Sequence, residues 1–398
     1  MKKLLIVNNN MKIGGVQKSL YNLLWSVSDQ YDITLLLFAP VGDYMDNLPE
    51  RVRVCSCTSL FRYLGVGQGD CAGSLRDRLL RGFLACICKL FGRGAVMPLL
   101  LRSQKPLPGH YDCAISYLQN GSPRHFYGGV NEFVLSKTDA ARKIAFLHCD
   151  YLRCGANHRE NNQSYRGFDL IAACSDGCRR SFVQAVPELS ERCVTVPNFH
   201  RCDEIRSLAE QQTYRYAPGS LHVLMVGRLA HEKGIDRAIR AVAFARAQGV
   251  AVVLHLVGTG PMENALRELV RTLALRDAVV FHGSQNNPYR FMRNADLLLM
   301  TSWHEAAPMV IDEARVLSLP VLSLQTTSSS EMISGRGCGW VCENDQTALN
   351  AALAALLKEP ARIHALRARL SEAQFSNEGA KAAFAALVGR YYDNNFPI

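Results

Sequence analysis

The sequence predicts an α/β protein built from two doubly wound parallel sheets in tandem. Three observations carry that expectation. The chain has 398 residues, two to three times the length of an ordinary domain. Short apolar runs alternate with segments whose apolar positions recur at helical spacing, and they do so in both halves. The runs are nearly continuous in apolar character, as strands covered on both faces require. Two such domains enclose a cleft, and ligands of open α/β sheets bind beyond the carboxyl ends of the strands, where the strand order reverses.

The first half opens with a strand at Leu4 to Asn8, a loop Lys12-Ile13-Gly14-Gly15-Val16, a helix from Gln17 to Ser26 and a second strand from Tyr31 to Phe38. Further strands are expected at Tyr111 to Tyr117, Lys143 to Leu147, Leu170 to Ala173 and Cys193 to Val196. Gln211 to Ser220 carries Tyr, Pro, Gly and Ser without apolar periodicity and reads as a linker. The expected domains are residues 1–210 and 221–376, joined by 211–220, with 377–398 a helix that returns to the first domain. In the second half strands fall at His222 to Val226, Val250 to Val257, Ala278 to His282, Asp296 to Thr301 and Pro320 to Leu324. Helices lie between them at Ile235 to Ala247, Met262 to Leu275 and Pro308 to Leu317.

Composition excludes several classes. Hydrophobic residues make up 48% and charged residues 20%, which rules out a disordered or collagenous chain. No apolar run approaches the roughly 20 residues of a membrane span, and the run from Met1 meets Asn8-Asn9-Asn10 before a signal core can form, so a cytoplasmic location is expected. The net charge is +10, and its excess is N-terminal: 24 Lys and Arg face 16 Asp and Glu in residues 1–200. An anionic partner such as a membrane surface or a phosphate-bearing acceptor fits this, and so does a solvated basic surface. No nucleic-acid partner is expected. The 14 cysteines are scattered without a CxxC pair, and His148, Cys149, Cys154 and His158 lack the paired spacing of a structural zinc site.

The chemistry concentrates at strand ends. Gly227-Arg228-Leu229 follows a strand, and His231-Glu232-Lys233-Gly234 opens a helix, so two cations lie beside the positive end of a helix dipole, as suits a diphosphate. The same two cations also read as ordinary surface salt-bridge partners. Val257-Gly258-Thr259-Gly260 is a turn where backbone can approach a ligand, but it lacks the third glycine of a dinucleotide fingerprint. Gly14-Gly15 follows the first strand of the first domain and, in the two-domain reading, is expected to face the same cleft from the opposite wall. Between a strand and a helix stands Ser302-Trp303-His304-Glu305-Ala306-Ala307-Pro308-Met309-Val310-Ile311-Asp312-Glu313. Pro308 suits a helix start, with Glu305 in the loop and Glu313 about one turn inside the helix. Two carboxylates beside unpaired helical N–H groups can grip a polyhydroxylated diphosphate, or can simply cap the helix.

Taken together, Gly227-Arg228-Leu229 with Glu232-Lys233-Gly234, Val257-Gly258-Thr259-Gly260, and Glu305 with Glu313 resemble the donor half of family-4 retaining glycosyltransferases of the GT-B fold. Gly14-Gly15-Val16-Gln17-Lys18, Lys143 to His148, Ser175-Asp176-Gly177 and Val196-Pro197-Asn198 agree more loosely, and the resemblance runs from Lys3 to about Tyr392. It implies a nucleotide-diphosphate sugar donor, UDP-linked, and a glycan or lipid-linked acceptor held by the first domain, in the synthesis of a capsule, exopolysaccharide or lipopolysaccharide. Arg228 and Lys233 would neutralise the diphosphate, Glu313 would bind the ribose hydroxyls, and Glu305 would hold the transferred sugar. Met309 and Val310 would contribute backbone N–H groups, with Gly227 and Gly258 shaping the donor loops. His148 would approach the sugar from the first domain, where Gly14 and Gly15 would let a loop close on the phosphates. The resemblance further implies retention by front-face attack without a metal or other cofactor, and no DxD pattern occurs. Ala306, Ala307 and Ser318 depart from the family pattern. A sugar-nucleotide epimerase, a glycogen-type transferase and a catalytically silent binding subunit on the same fold are the alternatives.

Residues 75–102 form a separate feature. Arg76, Arg78, Arg81, Lys89, Arg93 and Arg102 stand among Leu, Phe, Ile and Cys, and Asp77 is the only acid from Leu75 to Leu101. A helix here carries a basic stripe formed by Arg78, Arg81, Lys89 and Arg93 beside a broad apolar face. It either lies peripherally on an anionic membrane or packs on the sheet with a solvated basic edge.

Overall fold

The computed structural model describes residues 1–71, 74–373 and 375–389. It divides into two compact units, Met1–Phe199 with the segment from Asn377, and His200–Ser376.

The first unit is built on a seven-stranded sheet. Its strands are β1 (Lys3–Asn8), β2 (Asp32–Leu37), β3 (Arg53–Ser56), β4 (Cys113–Ser116), β5 (Lys143–Leu147), β6 (Leu170–Ala173) and β7 (Cys193–Thr195). They lie in the order β3-β2-β1-β4-β5-β6-β7, all parallel. The central strands are buried on both faces because helices cover them. The helix Glu378–Gly389 belongs to this unit: Ala380, Phe384, Leu387 and Val388 share one core with Leu4, Leu20 and Ile33. The expected continuation over 390–398 lies outside the described residues.

The second unit repeats the plan with six parallel strands: β8 (Leu221–Val226), β9 (Val252–Val257), β10 (Val279–Gly283), β11 (Leu297–Met300), β12 (Val321–Leu324) and β13 (Gly339–Cys342). Their order is β10-β9-β8-β11-β12-β13. One apolar core lies on each face, one around Val242 and Leu353, the other around Ile311 and Ile333.

The structure departs from the sequence reading in three places. The first unit ends at Phe199 rather than at residue 210, because helix Cys202–Glu210 turns Ile205 and Ala209 into the second core. Residues 211–220 are not a loose linker: Tyr214 and Tyr216 pack on His255 and Phe291, and the Tyr216 hydroxyl donates to the Phe291 carbonyl at 2.9 Å. The segment 75–102 is two helices, Leu75–Phe91 and Arg93–Ser103, parted by Gly92 at φ +84°. Arg93 is therefore no part of a surface stripe; it is buried, bonds Asn161 and lies near Glu132. Among the described residues no helix is long and apolar enough to cross a membrane.

Candidate active site

In the second sheet the order reverses between β8 and β11, and the loops that follow these strands diverge around a crevice. A pocket opens there, lined by Gly227, Arg228 and Lys233 from one loop and by Ser302, Glu305 and Val310 from the other side.

Backbone contacts fix the first loop. The Gly227 and Leu229 N–H groups donate to the Val257 and Thr259 carbonyls at 3.0 and 2.9 Å. Gly258, at φ +141°, leaves no room for a side chain: a Cβ there would sit 1.9 Å from the Gly227 oxygen. The close approach that the sequence suggested for a ligand is, at Gly258, made by the neighbouring loop. At the far end Gly234 adopts φ +57° and presses on the second loop, where a Cβ would lie 2.3 Å from the Thr301 oxygen. Thr301 Oγ1 donates to the Lys233 and Gly234 carbonyls at 3.0 and 2.7 Å, and the Trp303 N–H donates to the Glu232 carbonyl at 3.0 Å.

This lacing aims Lys233 at the second loop. Its Nζ donates to Glu305 Oε1 at 2.5 Å, and Ser302 Oγ donates to the same oxygen at 2.8 Å. Arg228 pairs with Glu232, four residues on, in the manner of a surface salt bridge. Its side chain is 67% exposed, so that pair contributes little and leaves the guanidinium able to change partner. The helix Met309–Val316 begins at Pro308, which offers no capping side chain. The partial positive charge of its first turn lies where Val310 lines the pocket. Glu313, one turn inside, is buried, with the Tyr289 hydroxyl 3.5 Å from its Oε1.

Sequence reasoning missed two residues here. Ser302 orients Glu305, and Arg237 is buried with its guanidinium 4.2 Å from the Trp303 ring centroid while it donates to Asn344 Oδ1 at 2.7 Å. The Arg237 contacts do not follow from spacing, since the fold brings Trp303 and Asn344 to it from distant segments, whereas Ser302 stands three residues before Glu305 and the course of the loop turns its hydroxyl onto the carboxylate. Asp312, beside Glu313 in sequence, has a structural role. Burial pushes its pKa up, but His200, Arg336 and Arg315 outweigh burial and hold the carboxyl below the usual carboxylate range.

Gly14, Gly15 and His148 belong to the first unit. Gly14 is extended at φ 179° and precedes helix Gly15–Val27. A Cβ on Gly15 would meet nothing within 4 Å, so packing does not demand glycine there. On that helix Ser19 Oγ lies 2.8 Å from the Tyr117 hydroxyl, and the Tyr117 ring is 4.8 Å from that of His148. Burial pushes the His148 pKa down to about 3, so its imidazole is neutral near pH 7. Its Nε2 is buried without a hydrogen-bond partner among the described residues.

Residues 210–376 match the family model of glycosyl transferases group 1. The second unit is a group 1 glycosyl transferase domain. The chain is 34% identical over 148 residues to the putative colanic acid biosynthesis glycosyltransferase WcaL of Salmonella typhimurium, covering 35% of this chain and 36% of that one. It is 26% identical over 171 residues to a Campylobacter jejuni N-acetylgalactosaminyltransferase named for a diphospho-undecaprenol substrate, covering 43% and 45%. The match spans less than half the length of the curated relatives. The solved structure of Anabaena HepE with UDP shares the architecture, with a TM-score of 0.67 at 18% identity over 98% of this chain and 100% of that one. The group 1 domain and the unit before it are thus the two Rossmann-like halves of a GT-B fold.

Proposed function

We propose that the protein is a retaining glycosyltransferase that moves a sugar from a UDP-sugar to a glycan or lipid-linked acceptor in surface polysaccharide synthesis. The observation that carries this reading is the Lys233–Glu305 pair at 2.5 Å, set in a pocket at the strand-order reversal beside a helix N-terminus. A cation, a carboxylate and oriented N–H groups at one strand edge match a ligand that carries both a diphosphate and sugar hydroxyls. The names of WcaL and the Campylobacter enzyme, and the UDP bound by HepE, support the same class of substrates.

On this reading the departing diphosphate develops negative charge that Lys233, Arg228 and the N–H groups of Met309 and Val310 stabilise. Lys233 turns from Glu305 to phosphate, and Glu305 then accepts hydrogen bonds from the sugar hydroxyls. Glu313 accepts from the ribose hydroxyls. His148, neutral, bonds a sugar hydroxyl, while Gly14, Gly15 and Gly227 let backbone come near the phosphates and Gly258 sets the position of the Gly227 loop. The acceptor hydroxyl attacks the anomeric carbon on the face the phosphate leaves, and its proton passes to the leaving phosphate oxygen. No protein nucleophile and no metal enters this scheme, which is distinct from two-carboxylate glycoside hydrolysis.

A panel of nucleotide sugars scored by nucleotide release, with and without polyprenyl-diphosphate-linked acceptors, tests the reading. Acceptor-dependent release of UDP, with the anomeric configuration retained in the product, is expected. Release of a free altered sugar would make it an epimerase, and donor binding with no turnover on any acceptor would make it a silent subunit.

A further inference from the structure

We propose that the outward face of helices Leu75–Phe91 and Arg93–Ser103 docks on an anionic phospholipid surface. A helix packed on a sheet ordinarily turns its apolar stripe inward. In Leu75–Phe91 only Leu84 and Cys88 are buried. Leu75, Leu79, Phe83 and Leu90 are 71%, 64%, 61% and 64% exposed, and at about 100° per residue they fall on one outward arc roughly 80° wide. Single exposed leucines are ordinary, but a row of four large side chains on one stripe is not. Phe91, the last residue before the break at Gly92, and Leu99 beyond it are also exposed, at 74% and 49%.

Charge decides the occupant. Arg76 flanks the stripe on one side, Arg78 and Lys89 on the other, and all three are exposed. The one acid of the helix, Asp77, is turned inward: it accepts from the Tyr63 hydroxyl at 2.6 Å and from Arg62 at 2.9 Å. An apolar stripe with cations on both margins and no facing carboxylate matches a bilayer, where hydrocarbon lies beneath a plane of phosphates. A second copy of the chain fits less well, because a two-fold contact on this face would set its cations against their own copies.

The proposal is independent of the donor reading, and its test contains no nucleotide. The full chain is sedimented with phosphatidylglycerol–phosphatidylcholine vesicles and with phosphatidylcholine alone, at low and high salt. Binding to the anionic vesicles is expected, released by salt and weak on neutral ones. Arg76→Gln/Arg78→Gln/Lys89→Gln should lose about fivefold in partitioning per cation, roughly a hundredfold in all. Leu79→Ser/Phe83→Ser/Leu90→Ser should lose binding while melting at or above the parent temperature, since the replaced groups are exposed. Phe83→Trp should show a blue-shifted emission on anionic vesicles. Equal binding to neutral vesicles, absence of binding, or unchanged binding in both triple variants would overturn the proposal. So would a dimer in sedimentation velocity that the serine variant dissociates.

Discussion

Lys233 and Glu305 hold each other's charge, so neither can be judged alone. Lys233→Ala removes the counter-charge of a largely buried carboxylate as well as a phosphate contact, and should cost about 2 to 4 kcal/mol of transition-state stabilisation, roughly thirty- to a thousandfold in rate. Arg228→Ala should fall at the lower end, because its side chain is 67% exposed. Glu305→Gln should reduce turnover, and combined with Lys233→Ala it should show coupling of about 0.5 to 3 kcal/mol, read from a double-mutant cycle. Glu313→Gln should instead weaken UDP affinity in calorimetry; unchanged affinity with abolished turnover would reverse the two roles. At this scale the sequence marked Glu305 and Glu313 through their place around Pro308. It did not mark Arg237, because contacts that join distant segments leave no local pattern, nor Ser302, because the three-residue spacing to Glu305 does not reveal how the loop turns.

Gly258 and Ser318 show how single positions set the loops. Gly258→Ala would drive a Cβ into the Gly227 carbonyl at an unfavourable φ, and should destabilise the second unit by about 1 to 3 kcal/mol in urea melts. Gly15→Ala has open space and should leave stability intact, so any activity it loses reports on a ligand. Ser318 follows helix Met309–Val316 at φ +55°. Ser318→Gly should raise stability by about 1 kcal/mol, seen as a higher melting temperature. Strands β1, β5, β6 and β8, and helix Ile235–Ala247, were legible because each is long or strongly apolar and bounded by turn residues. The edge strand β3 was not: Arg53, Val54, Cys55 and Ser56 are all exposed, so no buried face imposes a pattern on them. The break at Gly92 was hidden because apolar residues continue on both sides of it.

Across the molecule, both units use the same reversal of strand order; the apolar runs revealed the alternation of strands and helices behind it, whereas the boundary between the units depended on which core Ile205 and Tyr214 join. The second unit also carries a row of histidines across β8, β9 and β10. His222 Nδ1 meets His255 Nε2, and His255 Nδ1 meets His282 Nε2, each at 3.0 Å. Burial, aided by the charges of its two neighbours, pushes the His255 pKa down to about 3. Native His255 is neutral at pH 7, while in the unfolded chain it takes up a proton near the ordinary value of about 6.5. Stability from His255 is therefore complete above about pH 6.5 and is lost as pH falls toward 3, by up to about 1.4 kcal/mol per pH unit. His255→Gln should flatten that slope in urea melts followed by the fluorescence of Trp303 and Trp340.

Hydrogen–deuterium exchange of the full chain with and without UDP decides whether the Lys233–Glu305 pocket is the donor site, because it locates the nucleotide without presuming an acceptor. Slowed exchange is expected in 227–235 and 302–316, the two loops and the helix start around the Lys233–Glu305 pair, with little change along β13. Protection confined to other segments, or none at UDP concentrations that saturate binding, would contradict it.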